Sequence, residues 1–114
     1  GKLYAVGGYS DDDYLSSVER YDPALDAWEA VAPMAEARSR HAIAVLDGKL
    51  YAVGGYNDDD DRLSSVERYD PVTNAWEAVT PMAEARQTGM AVLDGKLYAV
   101  GGYNDFSLSS VERY

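Results

Sequence analysis

The residues best suited to chemistry are carboxylates in short runs. Asp11, Asp12 and Asp13 are consecutive, Asp58 to Asp61 form a second run, and Asp105 stands alone in the corresponding third position. Carboxylate oxygens are hard ligands that suit Ca2+. Asp11, Asp13, Asp58 and Asp60 are therefore the candidate metal ligands, with Ca2+ the candidate ion. The glycine and glutamate spacing of an EF-hand loop is absent, so a solvated acidic turn stands as the alternative. His41 is the one histidine and there is no cysteine. These counts exclude a disulfide, a thiolate zinc site, a cysteine nucleophile and a two-histidine metal site within one chain. No serine lies in a nucleophile-elbow motif. No catalytic residue is assigned, and the chain is expected not to be an enzyme.

The 114 residues carry 20 acidic and 10 basic side chains, a formal charge of −10. Such a balance repels phosphate backbones, so nucleic acid is not an expected partner. At 46% hydrophobic residues the composition is too apolar for a disordered chain. No apolar run has the length of a membrane-spanning helix, and membrane is not an expected partner. No signal segment is visible, and the chain begins at Gly1 without methionine, which is compatible with trimming. Neither charge nor cysteine usage assigns a compartment.

The elements that position these residues come from a repeat. GKLYAVGGY begins at Gly1, Gly48 and Gly95, and LSSVERY at Leu15, Leu63 and Leu108; AWEAV begins at Ala27 and Ala75, and PMAEAR at Pro33 and Pro81. Asp47-Gly48 and Asp94-Gly95 have the composition of two-residue hairpin turns between AVL and KLYAV. SSVERY and AWEAV read as two further strands, joined by the turn chemistry of Asp22-Pro23 and Asp70-Pro71. The double glycines are expected to stop the strand before them. Pro33 to Val45 is rich in helix formers and opens on proline. A helix competes there with a loop followed by a strand, and the apolar run into a hairpin turn favours the strand. Near-identity of the copies fits either recent duplication or consensus design.

Four short strands in a unit of about this length are the signature of a propeller blade. Gly7-Gly8, Gly54-Gly55 and Gly101-Gly102 after an apolar strand, Tyr21 and Tyr69 before Asp-Pro, and Trp28 and Trp76 beyond them give a pattern that resembles the kelch repeat family over the whole chain. The resemblance implies an all-β fold of four-stranded antiparallel kelch-type β-propeller blades, about two and a half to the chain. Residues 1–32 would supply the last three strands of one blade, 33–80 a complete blade, and 81–114 the first three strands of another. Arg86 to Gly95 is one residue shorter than Arg38 to Gly48, which puts the register of the strand at 87–93 in question.

The resemblance also implies a protein-interaction scaffold. In kelch propellers that bind peptides, the positions of Tyr9, Tyr56 and Tyr103 face the ligand, as do those of Ser39 and Arg40 and their counterparts Gln87 and Thr88. Asp11, Asp58 and Asp105 belong to the same loops. The alternative for the tyrosines is that they shield blade ends. Tyr21, Tyr69, Trp28 and Trp76 are expected between blades. Arg38 and Arg86 are expected to bond loop carbonyls, and the Glu-Arg pairs of SSVERY to form ion pairs with other strands. An incomplete ring leaves apolar faces and strand edges open. The chain is therefore expected to close by association with itself, a dimer being favoured. A designed or recently amplified fragment with no evolved ligand is the alternative.

Overall fold

The structure is a computed structural model that describes residues 2–10, 13–57, 61–93, 95–103 and 107–113, with the backbone alone described at 87–93, 100–103 and 107–110. Ten strands and no helix lie among the described residues: β1 (Leu3–Ser10), β2 (Asp13–Asp22), β3 (Ala27–Val31), β4 (Ala42–Leu46), β5 (Lys49–Val53), β6 (Val66–Asp70), β7 (Ala75–Val79), β8 (Gln87–Leu93), β9 (Lys96–Tyr103) and β10 (Ser107–Arg113). They form three antiparallel sheets in the orders β1-β2-β3, β4-β5-β6-β7 and β8-β9-β10.

Local chemistry sets the turns. Asp47 and Gly48 have φ values of +51° and +75°, as a primed hairpin turn requires. The turn after β6 is closed by the Asp70 carboxylate, which accepts the Val72 N–H at 2.9 Å, and the Asp22 carboxylate repeats this with the Ala24 N–H. The segment from Pro33 is not helical: it crosses to the next sheet as a linker and becomes β4 only at Ala42. The register from Leu93↔Lys96 to Gly89↔Val100 copies that from Leu46↔Lys49 to Ala42↔Val53. The missing residue is absorbed ahead of it, where the pairing shifts between Gln87 and Gly89.

One expectation needs correction. β5 stops at its glycines, but β1 runs on through Gly7-Gly8 to Ser10, with a shift in register between Val6 and Gly8. The bulge lets the hairpin partner follow past the glycines, so they bend the strand instead of ending it. What demands glycine is a close approach: a Cβ on Gly7, which has φ +58°, would lie 2.8 Å from the Arg38 carbonyl.

That contact belongs to the linker Pro33–Arg38, which joins the first two sheets. Backward, the Met34 N–H donates to the Ser16 carbonyl (2.9 Å), the Arg38 N–H to the Leu15 carbonyl (3.1 Å), and the Gly8 N–H to the Arg38 carbonyl (2.8 Å). Forward, the Glu67 carboxylate on β6 accepts the N–H groups of Ala35 (2.7 Å) and Glu36 (3.2 Å) and the Arg38 guanidinium (2.8 Å). Arg38 is fully buried, and it also donates to the carbonyls of Gly54 and Ser65, each at 3.1 Å. The expected carbonyl contacts of Arg38 are thus present, together with an ion pair. The next linker repeats the device: Met82 and Arg86 bond back to Ser64 and Leu63, while Glu112 on β10 accepts from Ala83, Glu84 and the buried Arg86.

Apolar packing fills the same two junctions. Tyr51, Val53, Val66 and Leu97 pack between the second and third sheets, and Val18, Met34 and Ala52 between the first and second, where Trp76 joins them. Successive residues of a strand point to opposite faces, and both faces of β5 are covered. This explains its unbroken apolar run. Trp28 differs from its copy: it is 52% exposed, because among the described residues no sheet packs on that side of the first one. Leu3, at 65% exposure against 9% for Leu50, shows the same open face.

Glu19 occupies on β2, opposite Ala5, the place that Glu67 occupies on β6 opposite Ala52. No linker reaches it among the described residues, and it is exposed. Removing one member of a buried ion pair costs about 3–5 kcal/mol, whereas an exposed surface change stays within about 0.5 kcal/mol. Glu67→Ala is therefore expected to lower unfolding stability by about 3 kcal/mol or more in urea titrations, while Glu19→Ala leaves it nearly unchanged. Equal effects from the two substitutions would refute the assignment of Glu67 as the clamp.

Candidate interaction face

Where the first and second sheets meet, the end of β1, the start of β2, the residues just after β5 and the end of the first linker come together. Ser39 and Tyr56 exchange backbone hydrogen bonds at 2.9 and 2.8 Å, so the linker and the end of β5 are tied across the junction. Tyr56 also bridges to Arg62 on the return of its own loop. That loop is closed by the Asn57 N–H on the Asp61 carbonyl (3.0 Å) and by the Asp61 N–H on the Asn57 side chain (3.1 Å).

The result is a cavity of about 470 Å³ lined by Tyr9, Tyr14, Ser39, Arg40 and Tyr56. Four of the five were anticipated as contact residues: Tyr9, Ser39, Arg40 and Tyr56. The structure brings them together from both sheets. Tyr9 and Tyr14 meet edge to face, ring centroids 5.4 Å apart. The Arg62 guanidinium lies over the Tyr56 ring, 5.3 Å from its centre. Arg40 is exposed and holds φ at +54°, a region that non-glycine residues enter at a cost and that concentrates at ligand sites. Tyrosine and arginine are among the side chains most enriched at the energetic centres of protein interfaces.

Tyr14 and Arg62 were not singled out as contacts. The signal was present, since they hold the same place before Leu-Ser-Ser in two copies and differ there. On the third sheet the backbone sets Gln87 opposite Tyr103, as Ser39 is set opposite Tyr56. Asp11, Asp58, Asp60 and Asp105 lie outside the described residues, and Asp13 is exposed at the start of β2. Among the described residues no three metal-ligating side chains gather at one point.

Beneath the face, His41 sits against Gly55, where an added Cβ would lie 2.9 Å from the His41 backbone and side chain. Burial lowers its pKa below the ordinary 6.5, and the nearby Arg38 charge acts in the same direction, against a hydrogen bond to the Val6 backbone. Glu112 at the other junction is also lowered: burial pushes it up, but the N–H groups of Ala83 and Glu84 and the Arg86 charge outweigh this.

Residues 1–35, 37–83 and 85–114 each match the family model described as Kelch motif. The chain belongs to the Kelch motif family. Each sheet is thus a kelch-type blade, with all four strands present in the central one. Among similar proteins, the mouse protein named Influenza virus NS1A-binding protein homolog is 53% identical over 57 residues, which is 50% of this Kelch chain and 9% of the relative. Mouse Kelch-like protein 35 is 49% identical over 59 residues (52% of this chain, 10% of the relative), and human Kelch-like protein 33 is 44% identical over 61 residues (51% and 11%). The matched segment is therefore about a tenth of the length of these relatives.

The His41 shift has a measurable consequence. With the folded pKa below 6.5, the unfolded state holds more protons between the two values, so stability falls as pH falls below about 6.5 and levels off under the folded pKa. Urea midpoints from pH 8 to 5 are expected to drop across that window, and His41→Gln is expected to flatten the drop. A slope unaffected by the substitution would refute the assignment to His41.

Proposed function

We propose that this Kelch chain is a non-enzymatic interaction scaffold that associates with a copy of itself, as a dimer, to cover its open blade faces. In this reading residues 1–32, 33–80 and 81–114 act as three blade units, and the loop face receives a segment of a partner protein. The observation that carries it is the cavity shared by two blades, lined by Tyr9, Tyr14, Ser39, Arg40 and Tyr56. The occupant is an extended peptide of mixed charge. An acidic residue would meet Arg40, and a basic one the aspartates of the flanking loops, where Asp13 and Asp61 are exposed. One relative is named for binding a protein, which agrees with this class of function.

Self-association is supported by the outer blades. Leu3, Trp28 and Val111 are 65%, 52% and 55% exposed, and apolar surface of that kind favours burial against another chain. Sedimentation at micromolar concentration is expected to show a species of at least two chains that resists dilution. A monomer that unfolds cooperatively would contradict self-association. A peptide array probed with the assembled protein is expected to yield mixed-charge binders that weaken about tenfold or more with Arg40→Glu or Tyr56→Ala, the loss of a central contact. Absence of any such binder would leave a bare scaffold, the reading to which the near-identical repeats also lend support.

A further inference from the structure

The two junctions between sheets are built alike except at one place. Between the linker arginine and the regular pairing of the next strand, the second junction has Gln87 and Thr88, since Gly89 pairs with Val100 as Ala42 pairs with Val53. The first junction has Ser39, Arg40 and His41 there. The additional residue is taken up by a turn of the backbone, with Arg40 at φ +54°. His41, the one histidine of the chain, follows directly. The blade pattern does not demand it, because the second junction pairs in the same register without a histidine.

His41 is half-buried behind the loop cavity and meets both sheets. Its backbone lies against Gly55, where a Cβ would come within 2.9 Å of it and within 2.5 Å of the Ser39 carbonyl. Its ring donates to the Val6 backbone on β1. Val6 is the point at which the register of β1 shifts on the way to Tyr9. Nδ1 is buried and has no hydrogen-bond partner, so the donor to Val6 is Nε2, and the neutral ring carries its proton there. One imidazole therefore props three parts of the face: the turn at Arg40, the Ser39–Tyr56 bridge and the end of β1.

A second proton has no place in this arrangement. It would put an N–H on buried Nδ1 with no acceptor, and an unpaired charged donor is costly to bury. The surrounding charges oppose it as well. Arg38, fully buried on the linker, acts on the ring with the same sign. Its partner Glu67 on β6 is committed to that guanidinium and to two linker N–H groups. Arg40 is the adjacent residue, and Arg62 lies over Tyr56 on the β5 side. β1 brings the Val6 carbonyl, and its cation Lys2 is paired with Asp22. Among the described residues, the groups acting on the ring include no carboxylate. A protonated ring must turn out to water, and the Val6 bond is lost with it.

We propose that neutral His41 is the positioning residue of the loop face and that its protonation works as a latch, freeing Arg40 and the Ser39–Tyr56 bridge in acid while the blades stay folded. The latch rests on the interaction reading above only for its use, which is release of a bound peptide as pH falls. Its operation is readable with no peptide present.

The test is amide hydrogen exchange of the full 114-residue protein from pH 8 to 5, corrected for the intrinsic rate at each pH. The open face takes its proton near the ordinary 6.5, and the closed face only below it. Opening therefore gains up to about tenfold per pH unit inside that window and levels off under the closed value. The Ser39 and Tyr56 amides are expected to lose protection accordingly. Low urea is expected to leave their rates unchanged, since a local opening exposes little surface. The His41 ring resonance, followed by NMR in the unaltered protein, is expected to titrate over the same range. His41→Gln keeps a donor for Val6 and cannot titrate, so it is expected to hold protection level. Protection that ignores pH, a decline that persists in His41→Gln, or opening that accelerates with urea in step with β5 and β6 would each overturn the proposal. A face that opens in acid while the peptide array stays blank upholds the latch and counts against the interaction reading alone.

Discussion

The structure depends on a carboxylate that faces inward from the third strand of a blade. Glu67 gathers two linker N–H groups and a fully buried guanidinium. A buried charge is tolerable only when its partners are complete. Arg38 has Glu67, the Gly54 and Ser65 carbonyls and the Ser65 hydroxyl as partners of its two terminal nitrogens, and only its Nε–H is left without one. The same linker bonds back to the preceding blade through Met34 and Arg38. One short segment therefore ties a blade to its own interior and to its neighbour, and it ends at Ser39 and Arg40, which line the loop cavity. The geometry of that cavity follows from a structural clamp beneath it.

This arrangement makes each blade incomplete alone. The tryptophan of one blade closes the junction with the blade before it, as Trp76 does on Ala32. The linker of one blade leads into the first strand of the next, as Pro33–Arg38 leads into β4. Where no neighbouring sheet lies among the described residues, the same residue types have other surroundings: Trp28 and Leu3 are exposed, Glu19 grips nothing, and a cavity stands beside β10. Repeat proteins distribute stability between units and their interfaces, and here the interfaces hold most of the buried polar chemistry. The loop cavity thus stands where a junction between two sheets is formed.

Much of this was legible in the residues. Gly-Gly, Tyr-Asp-Pro and Trp at fixed offsets were enough for the blade pattern, because each type answers a local demand that recurs in every copy. Ser39, Arg40, Tyr9 and Tyr56 were named together only through the resemblance to the family, since Ser39 and Arg40 differ from their counterparts Gln87 and Thr88. The partners of Arg38 were only partly so. Its carbonyl contacts were foreseen, but the pairing with Glu67 spans 29 residues and depends on which face of β6 the glutamate takes. Trp76 lies between blades as expected, whereas Trp28 is exposed among the described residues, since what buries this tryptophan belongs to a neighbouring sheet and not to its own segment. Tyr14 and Arg62 were overlooked because they sit where the copies differ. A repeat argument draws attention to what is constant, whereas specificity resides in what varies.

Hydrogen exchange at the first linker tests the clamp most directly. Ala35 is exposed as a residue, yet its N–H is bonded to Glu67, and Met34 and Arg38 donate to the first blade. If the linker is the element on which the blades depend, these three amides exchange as slowly as those of β5 and β6 and open only with them. Exchange at the rate of an ordinary surface loop, with β5 and β6 still protected, would contradict the account.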